Sequence, residues 1–122
     1  MVTPQHVQDW LDAYIAAWQT YDPGLIGDLF ASDATYAYHP WDDPIRGRDA
    51  IIAAWLSEQD DAGSWEAEYY PLLIADDGVA VGGRTRYTTG KVYENLWLLE
   101  FGDDGRCARF VEWYMVPPGG EG

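Results

Sequence analysis

Apolar side chains recur through the start of the chain at a helical spacing. Val7, Trp10, Leu11, Tyr14, Ile15 and Trp18 stand at i, i+3, i+4, i+7, i+8 and i+11, a single stripe along one helix face. Thr3-Pro4 precedes the stripe, an N-cap followed by proline at the first helical position, where its missing N–H is not needed. Asp22-Pro23 repeats that signal and predicts a short second helix carrying Leu25, Ile26, Leu29 and Phe30. Residues 33–39 alternate loosely around Tyr36 and Tyr38 and stop at Pro40, which predicts a short strand. Residues 47–58 predict a third helix with Ile51, Ile52, Trp55 and Leu56 turned inward.

From there on the pattern is strand and turn. Residues 65–75 close at Asp76-Asp77-Gly78, residues 79–88 at Thr89-Gly90, residues 91–101 at Gly102-Asp103-Asp104-Gly105, and residues 106–116 at Pro117-Pro118. Asp-Gly between extended apolar runs is a strong hairpin signal, because both turn positions tolerate positive φ. The order helix, helix, strand, helix and four meandering strands predicts an α+β domain with its helices segregated to one side of a curved sheet.

Composition narrows the picture. A chain of 122 residues supports one core, so residues 1–122 read as a single domain. Lys and Arg number 7 against 21 Asp and Glu, a formal net charge of −14 that argues against nucleic acid or an anionic membrane surface as partner. The single cysteine, Cys107, leaves no internal disulfide framework and no Cys-based metal site, and reads as a small buried hydrophobe. With no long apolar run and no basic, apolar leader, the expectation is a cytoplasmic protein. Seven Trp, nine Tyr and three Phe exceed what a small core usually needs, and point to a lined cavity or a large apolar interface.

Four stretches carry a resemblance. Leu29-Phe30-Ala31-Ser32-Asp33-Ala34-Thr35-Tyr36, Gly47-Arg48-Asp49-Ala50-Ile51, Tyr93-Glu94-Asn95-Leu96-Trp97 and Gly105-Arg106 through Glu112-Trp113-Tyr114 run in order across residues 5–117. Together they resemble the SnoaL-like branch of the nuclear transport factor 2-like superfamily. The resemblance implies a cone-like, antiparallel or mixed sheet wrapped around three helices and enclosing a pocket, commonly in a homodimer. That fold hosts ketosteroid isomerases, polyketide cyclases, epoxide hydrolases and dehydratases, so it does not itself choose a chemistry.

Among these, limonene epoxide hydrolase-like enzymes use an acid–arginine–acid relay with a tyrosine and an asparagine holding the water. By resemblance Glu112 matches one carboxylate, Arg84 the arginine and Tyr36 the tyrosine, while Arg86 replaces the second carboxylate and Tyr38 the asparagine. The relay is therefore incomplete. In ketosteroid isomerase-like relatives a first-helix tyrosine donates to the ligand's oxyanion, and Tyr14 is similarly placed, although core packing explains the same stripe. SnoaL-like cyclases carry an acidic residue where Met115 stands here.

Strand parity puts Arg84 and Arg86 on one face. If that face lines the pocket, the pair would favour an anionic or enolate-like ligand; otherwise Arg84–Glu112 is a cross-strand pair and Arg86 points outward. His39, in Tyr38-His39-Pro40-Trp41-Asp42-Asp43-Pro44, is either an acid/base group beside carboxylates or part of a Pro/Asp turn. Trp10, Tyr14, Trp18, Tyr36, Trp55 and Trp97 are expected to form the pocket wall, with Asn95 as a polar handle sharing parity with Trp97.

The expected catalytic set is thus Glu112, Arg84, Tyr36 and His39. The expected ligand contacts are Tyr14, Trp18, Tyr38, Trp55, Arg86, Asn95 and Trp97, and no metal or cofactor is called for. Three functions stay open: an acid/base enzyme on a small hydrophobic substrate, a non-catalytic module binding a small apolar or anionic molecule, and a dimeric interaction protein.

Overall fold

The computed structural model describes residues 2–61 and 63–118. Helix α1 spans Pro4–Thr20, and Thr3 caps it as its spacing predicts, its side-chain oxygen accepting from the His6 backbone N–H at 3.1 Å. Asp22 caps α2, Pro23–Leu29, through the Gly24 and Leu25 N–H groups. Then follow β1 (Phe30–Ala37), β2 (Ile45–Arg46), α3 (Arg48–Ser57), β3 (Trp65–Ala75), β4 (Gly78–Tyr87), β5 (Val92–Phe101) and β6 (Cys107–Met115). No helix among the described residues is long and apolar enough to cross a membrane.

The six strands form one sheet in the order β2-β1-β6-β5-β4-β3. The antiparallel meander β3 to β6 is as the turn signals predict. Strand β1 starts earlier than its alternation suggests, directly after α2, and lies parallel to β6 with Tyr36 beside Phe110. The sheet is therefore mixed. Strand β2 leaves no signal in the sequence pattern; it is two residues long, too short for any periodicity, and is held by pairing with Thr35 and Tyr36.

The helices cover the inner face of the sheet. Val7, Trp10, Leu11, Tyr14 and Ala17 of α1 are buried against Phe30, Val79, Val81, Trp97, Leu99, Cys107 and Phe110. Phe110 lies flat between two tyrosines, at 4.3 Å and 3° from the Tyr36 ring and 6.0 Å and 5° from that of Tyr14. Cys107 is buried, and desolvation pushes its thiol far above its ordinary pKa, so it is an inert core group.

Strand β4 carries two adjacent glycines with opposite neighbours. Gly83 faces inward and pairs with Tyr69, and a Cβ there would overlap the Tyr69 ring and the Glu68 carbonyl. Gly82 faces outward, where its Cβ would meet the end of the exposed Leu72 side chain at 3.0 Å. Gly83→Ala is expected to destabilise the fold by about 3 kcal/mol through overpacking, and Gly82→Ala to change it by under ~1 kcal/mol. Urea denaturation of the two variants checks the difference, which would vanish if Tyr69 could swing aside freely.

Candidate functional site

The helices leave one end of the inner face uncovered, and a cavity of about 460 Å³ opens there. That volume suits a small organic molecule. Tyr14 and Trp18 reach it from α1, Tyr36 and Tyr38 from β1 and the turn after it, and Trp55 from α3. Tyr21, Glu58, Gln59 and Asp60 form the helix side of its rim. The sheet contributes Tyr69, Thr85, Tyr87, Tyr93, Asn95, Glu112 and Tyr114. Eight of the nine tyrosines of the chain line this space. A tyrosine packs its ring as core and turns its hydroxyl to a wet or polar surface, which is what a cavity wall needs.

Register explains the sheet's contribution, because residues directly paired across antiparallel strands share a face. Tyr69, Gly83, Asn95 and Tyr114 form one such row, and Trp97 and Glu112 pair in the next. The side chains of this face are joined in a directed chain of hydrogen bonds. A carboxylate accepts from both Asn95 Nδ2 and Trp97 Nε1, each at 2.8 Å from Glu112 Oε2. Asn95 must then present its oxygen to Thr85, whose hydroxyl donates to it at 3.0 Å and so accepts from the Tyr69 hydroxyl at 2.8 Å.

Both hydrogen bonds to Glu112 fall on Oε2. Oε1 has no partner among the described residues, yet no buried side-chain oxygen among them is left unsatisfied. Oε1 is therefore the oxygen open to the cavity. Burial raises the Glu112 pKa above the ordinary carboxylate range, while Trp97, Asn95 and the nearby His39 pull it back down. The tyrosines around it shift the same way. Burial holds Tyr14, Tyr36 and Tyr69 well above the usual phenol range, with the Glu112 charge adding to each. They are neutral hydroxyls at any physiological pH.

Tyr21 ends α1 in the left-handed region, at φ 50, an uncommon conformation for a bulky residue. Its hydroxyl accepts from the Asp60 backbone N–H at 2.8 Å and from Trp18 Nε1 at 3.0 Å. Trp18 Nε1 is also 3.1 Å from Asp60 Oδ2. The strained cap thus ties the end of α1 to the segment after α3 and fixes the Asp60 carboxylate at the rim.

His39 does not line the cavity; it reaches it through Tyr114. Its Nδ1–H donates to the Asp42 carboxylate at 2.9 Å, Nε2 lies 2.8 Å from the Tyr114 hydroxyl, and Trp41 stacks on the ring. His39 thus lies in the turn of Pro and Asp residues, with the Asp42 carboxylate beside its ring.

The structure corrects the expectation for the two arginines. Arg84 and Arg86 do share a face, but it is the outer one, since Val79, Val81 and Thr85 set the inward parity of β4. Arg84 pairs with Glu94, and Arg86 with Glu68 at 3.2 Å and Glu66 at 3.9 Å, all in solvent-exposed positions. Neither meets Glu112, and the basis for an anionic ligand goes with them. Trp10 and Trp97 are also not wall residues. Trp10 is core and donates to the Leu29 carbonyl at 3.0 Å, and Trp97 lies beneath the floor, supporting Glu112.

Tyr14, Trp18, Tyr36, Tyr38, Trp55, Asn95 and Glu112 do line the cavity. Tyr93 and Tyr114 were missed, although each stands two residues from an anticipated site residue, Asn95 and Glu112, and so shares its face. Tyr69, Thr85 and Tyr87 follow from the parity of their strands in the same way. Glu58, Gln59 and Asp60 carried no signal, because they sit at and beyond a helix end. Among the described residues no group of three His, Cys, Asp or Glu side chains is placed to hold a metal ion.

Residues 11–116 match the SnoaL-like domain family. No curated protein matches the chain significantly. Solved structures do. An NTF-2 like protein of unknown function from Burkholderia xenovorans LB400 aligns at TM-score 0.72 and 17% identity, over 93% of this chain and 85% of its own. A ketosteroid isomerase-like protein from Erwinia carotovora atroseptica SCRI1043 aligns at 0.64 and 17%, over 93% and 97%. A protein of unknown function with a cystatin-like fold from Methylobium petroleophilum PM1 aligns at 0.73 and 18%, over 95% and 80%. At these identities the likeness is one of fold.

A carboxyl group whose pKa is higher folded than unfolded contributes stability that is complete below its ordinary value of 4.5 and declines as pH rises through the folded value. Glu112→Gln keeps an acceptor for Asn95 and Trp97 but cannot ionise. The variant is expected to be more stable than the wild type at pH 7, with the gain shrinking to nothing as pH falls to about 4. Denaturation midpoints of the two proteins across that range test the sign.

Proposed function

From the premise that the chain belongs to the SnoaL-like domain family, we propose that it is a cofactor-free acid–base enzyme acting on a small hydrophobic substrate. The observation that carries this reading is Glu112, a buried carboxyl group with one oxygen braced from beneath by two donors and the other facing the cavity. Desolvation makes such a carboxylate a stronger base than one in water, and the bracing keeps Oε1 aimed. Tyr14 and Tyr36 supply neutral hydroxyls beside it.

The chemistry this favours is proton transfer next to a carbonyl. Oε1 takes a proton from the carbon, and the electron pair moves to the carbonyl oxygen as an enolate. Tyr14 and Tyr36 donate hydrogen bonds to that oxygen, and Glu112 returns its proton to the same or a conjugated carbon. Donors aimed at a developing oxyanion in a water-poor site are worth far more than in solvent. Hydrolysis by an acid–arginine–acid relay has no support, because the arginine it needs is on the outer face.

Exchange of the α-protons of 2-tetralone into D₂O, followed by NMR, tests the proposal. The wild type is expected to accelerate exchange over buffer, with kcat rising as pH passes the elevated Glu112 pKa and the base form appears. Glu112→Gln should lower kcat by about 10²–10⁴-fold with little change in ligand affinity. Tyr14→Phe should lower it by about 10²-fold. Wild-type rates in Glu112→Gln would leave the cavity as a binding site without turnover.

A further inference from the structure

The charges facing the cavity are all of one sign. Glu112 lies at its floor and Glu58 and Asp60 at its rim, and no Lys or Arg is among its lining residues. Lys91 lines an adjoining depression of about 450 Å³ that shares the Asp60 side of the rim. The remaining wall is mostly aromatic. At the mouth, rings and carboxylates alternate: the Glu58 charge bears on Tyr38, and that of Asp60 on Tyr21 and Tyr87. Asp60 is held there by Trp18 Nε1 and by its own backbone N–H to Tyr21.

Ring faces carry partial negative charge and attract a cation that sheds part of its water among them, and carboxylates at the same place strengthen that attraction. An anion would meet three carboxylates with no counter-charge. A neutral guest of equal shape would gain the apolar contacts alone. The net charge of −14 adds a field drawing cations towards the molecule.

We infer that the cavity selects a small organic cation, a protonated or quaternary amine with an apolar body, over neutral or anionic molecules of the same shape. The ammonium end sits at the rim between Asp60, Glu58 and the aromatic side chains of Tyr21, Tyr38 and Tyr87. The apolar body fills the tyrosine-lined interior and brings the reacting carbon to Glu112. This names the substrate class for the site proposed above and rests on that cavity being where the substrate binds.

Calorimetric titration near pH 7 with three guests of almost one shape tests it: 1-adamantanemethylammonium, 1-adamantanemethanol and 1-adamantanecarboxylate. The ammonium is expected to bind at least about tenfold more tightly than the alcohol, and the carboxylate weakest. The double variant E58Q/D60N should remove that preference while leaving the alcohol's affinity within about twofold. The pair D76N/D77N, which removes equal charge from the exposed β3–β4 turn, should leave it intact. Equal affinity for ammonium and alcohol, tighter carboxylate binding, or a preference that survives E58Q/D60N overturns the inference. If none of the guests binds, the cavity itself fails as the site. If the preference holds but E112Q exchanges ketone protons as the wild type does, the catalytic reading falls and the cation site stands.

Discussion

The arrangement depends on how Tyr14 is packed. Its ring meets Trp10 and Trp18 on its own helix, Trp55 on α3, and Tyr69, Trp97 and Phe110 on the sheet. One side chain thus clamps both long helices to the inner face. It also marks the boundary between the dry interior and the cavity. Below it lie Phe30, Phe110 and Leu11, all fully buried; around and above it the wall turns to tyrosine. Tyrosine suits such a boundary because its apolar body and polar tip occupy different environments without an unpaired buried group. The site is therefore not grafted onto a finished core. It is the exposed edge of that core, and its geometry has the rigidity of close packing.

Electrostatics divides the molecule by sheet face. The arginines on the outer surface of the sheet each have an acidic partner there: Arg84 with Glu94, Arg86 with Glu68, and Arg109 with Glu100. Such exposed pairs add little stability. Their effect is on the balance of charge, because the cations of the sheet are taken up outside and none is left to neutralise Glu112 within. Sheet parity alone accomplishes this. Side chains alternate across β4, so a Thr85 aimed at Asn95 requires Arg84 and Arg86 to face solvent.

Much of this was legible in the sequence. The α1 stripe, the two proline-preceded caps and the turn-punctuated meander are local signals, and each corresponds to an element with nearly the same bounds. The parallel pairing of β1 with β6 is not local, since it joins Tyr36 to Phe110, and no periodicity records it. The side taken by the arginines is hard to read for a different reason. Val79 and Val81 give the inward parity of β4, but Gly82 and Gly83 interrupt the apolar pattern before the arginines are reached, so the local pattern leaves their side open. Of the expected wall, Tyr14, Trp18, Tyr36 and Trp55 line the cavity and only the two tryptophans Trp10 and Trp97 do not. Tryptophan has the larger ring and settles in the core, as Trp10 and Trp97 do, whereas tyrosine can tolerate an open hydroxyl.

The hydrogen-bond polarity at the floor follows from one acceptor-only group. An ionised carboxylate takes donors and offers none, so Asn95 must turn its amide N–H₂ towards Glu112. That orientation propagates outward: the Asn95 oxygen can only accept, so Thr85 must donate, and Tyr69 must donate to Thr85. When Glu112 takes up a proton at Oε1, Oε2 remains an acceptor and none of these bonds has to reverse. The network therefore accommodates both protonation states of Glu112 without rearrangement. A partner arginine would have held Glu112 ionised; two neutral donors steady it while leaving its basicity to burial. Opposite it, burial keeps the Tyr14 and Tyr36 hydroxyls neutral as well. The carboxyl group on a sheet strand and the hydroxyls on α1 and β1 thus meet across the cavity without an ion pair between them.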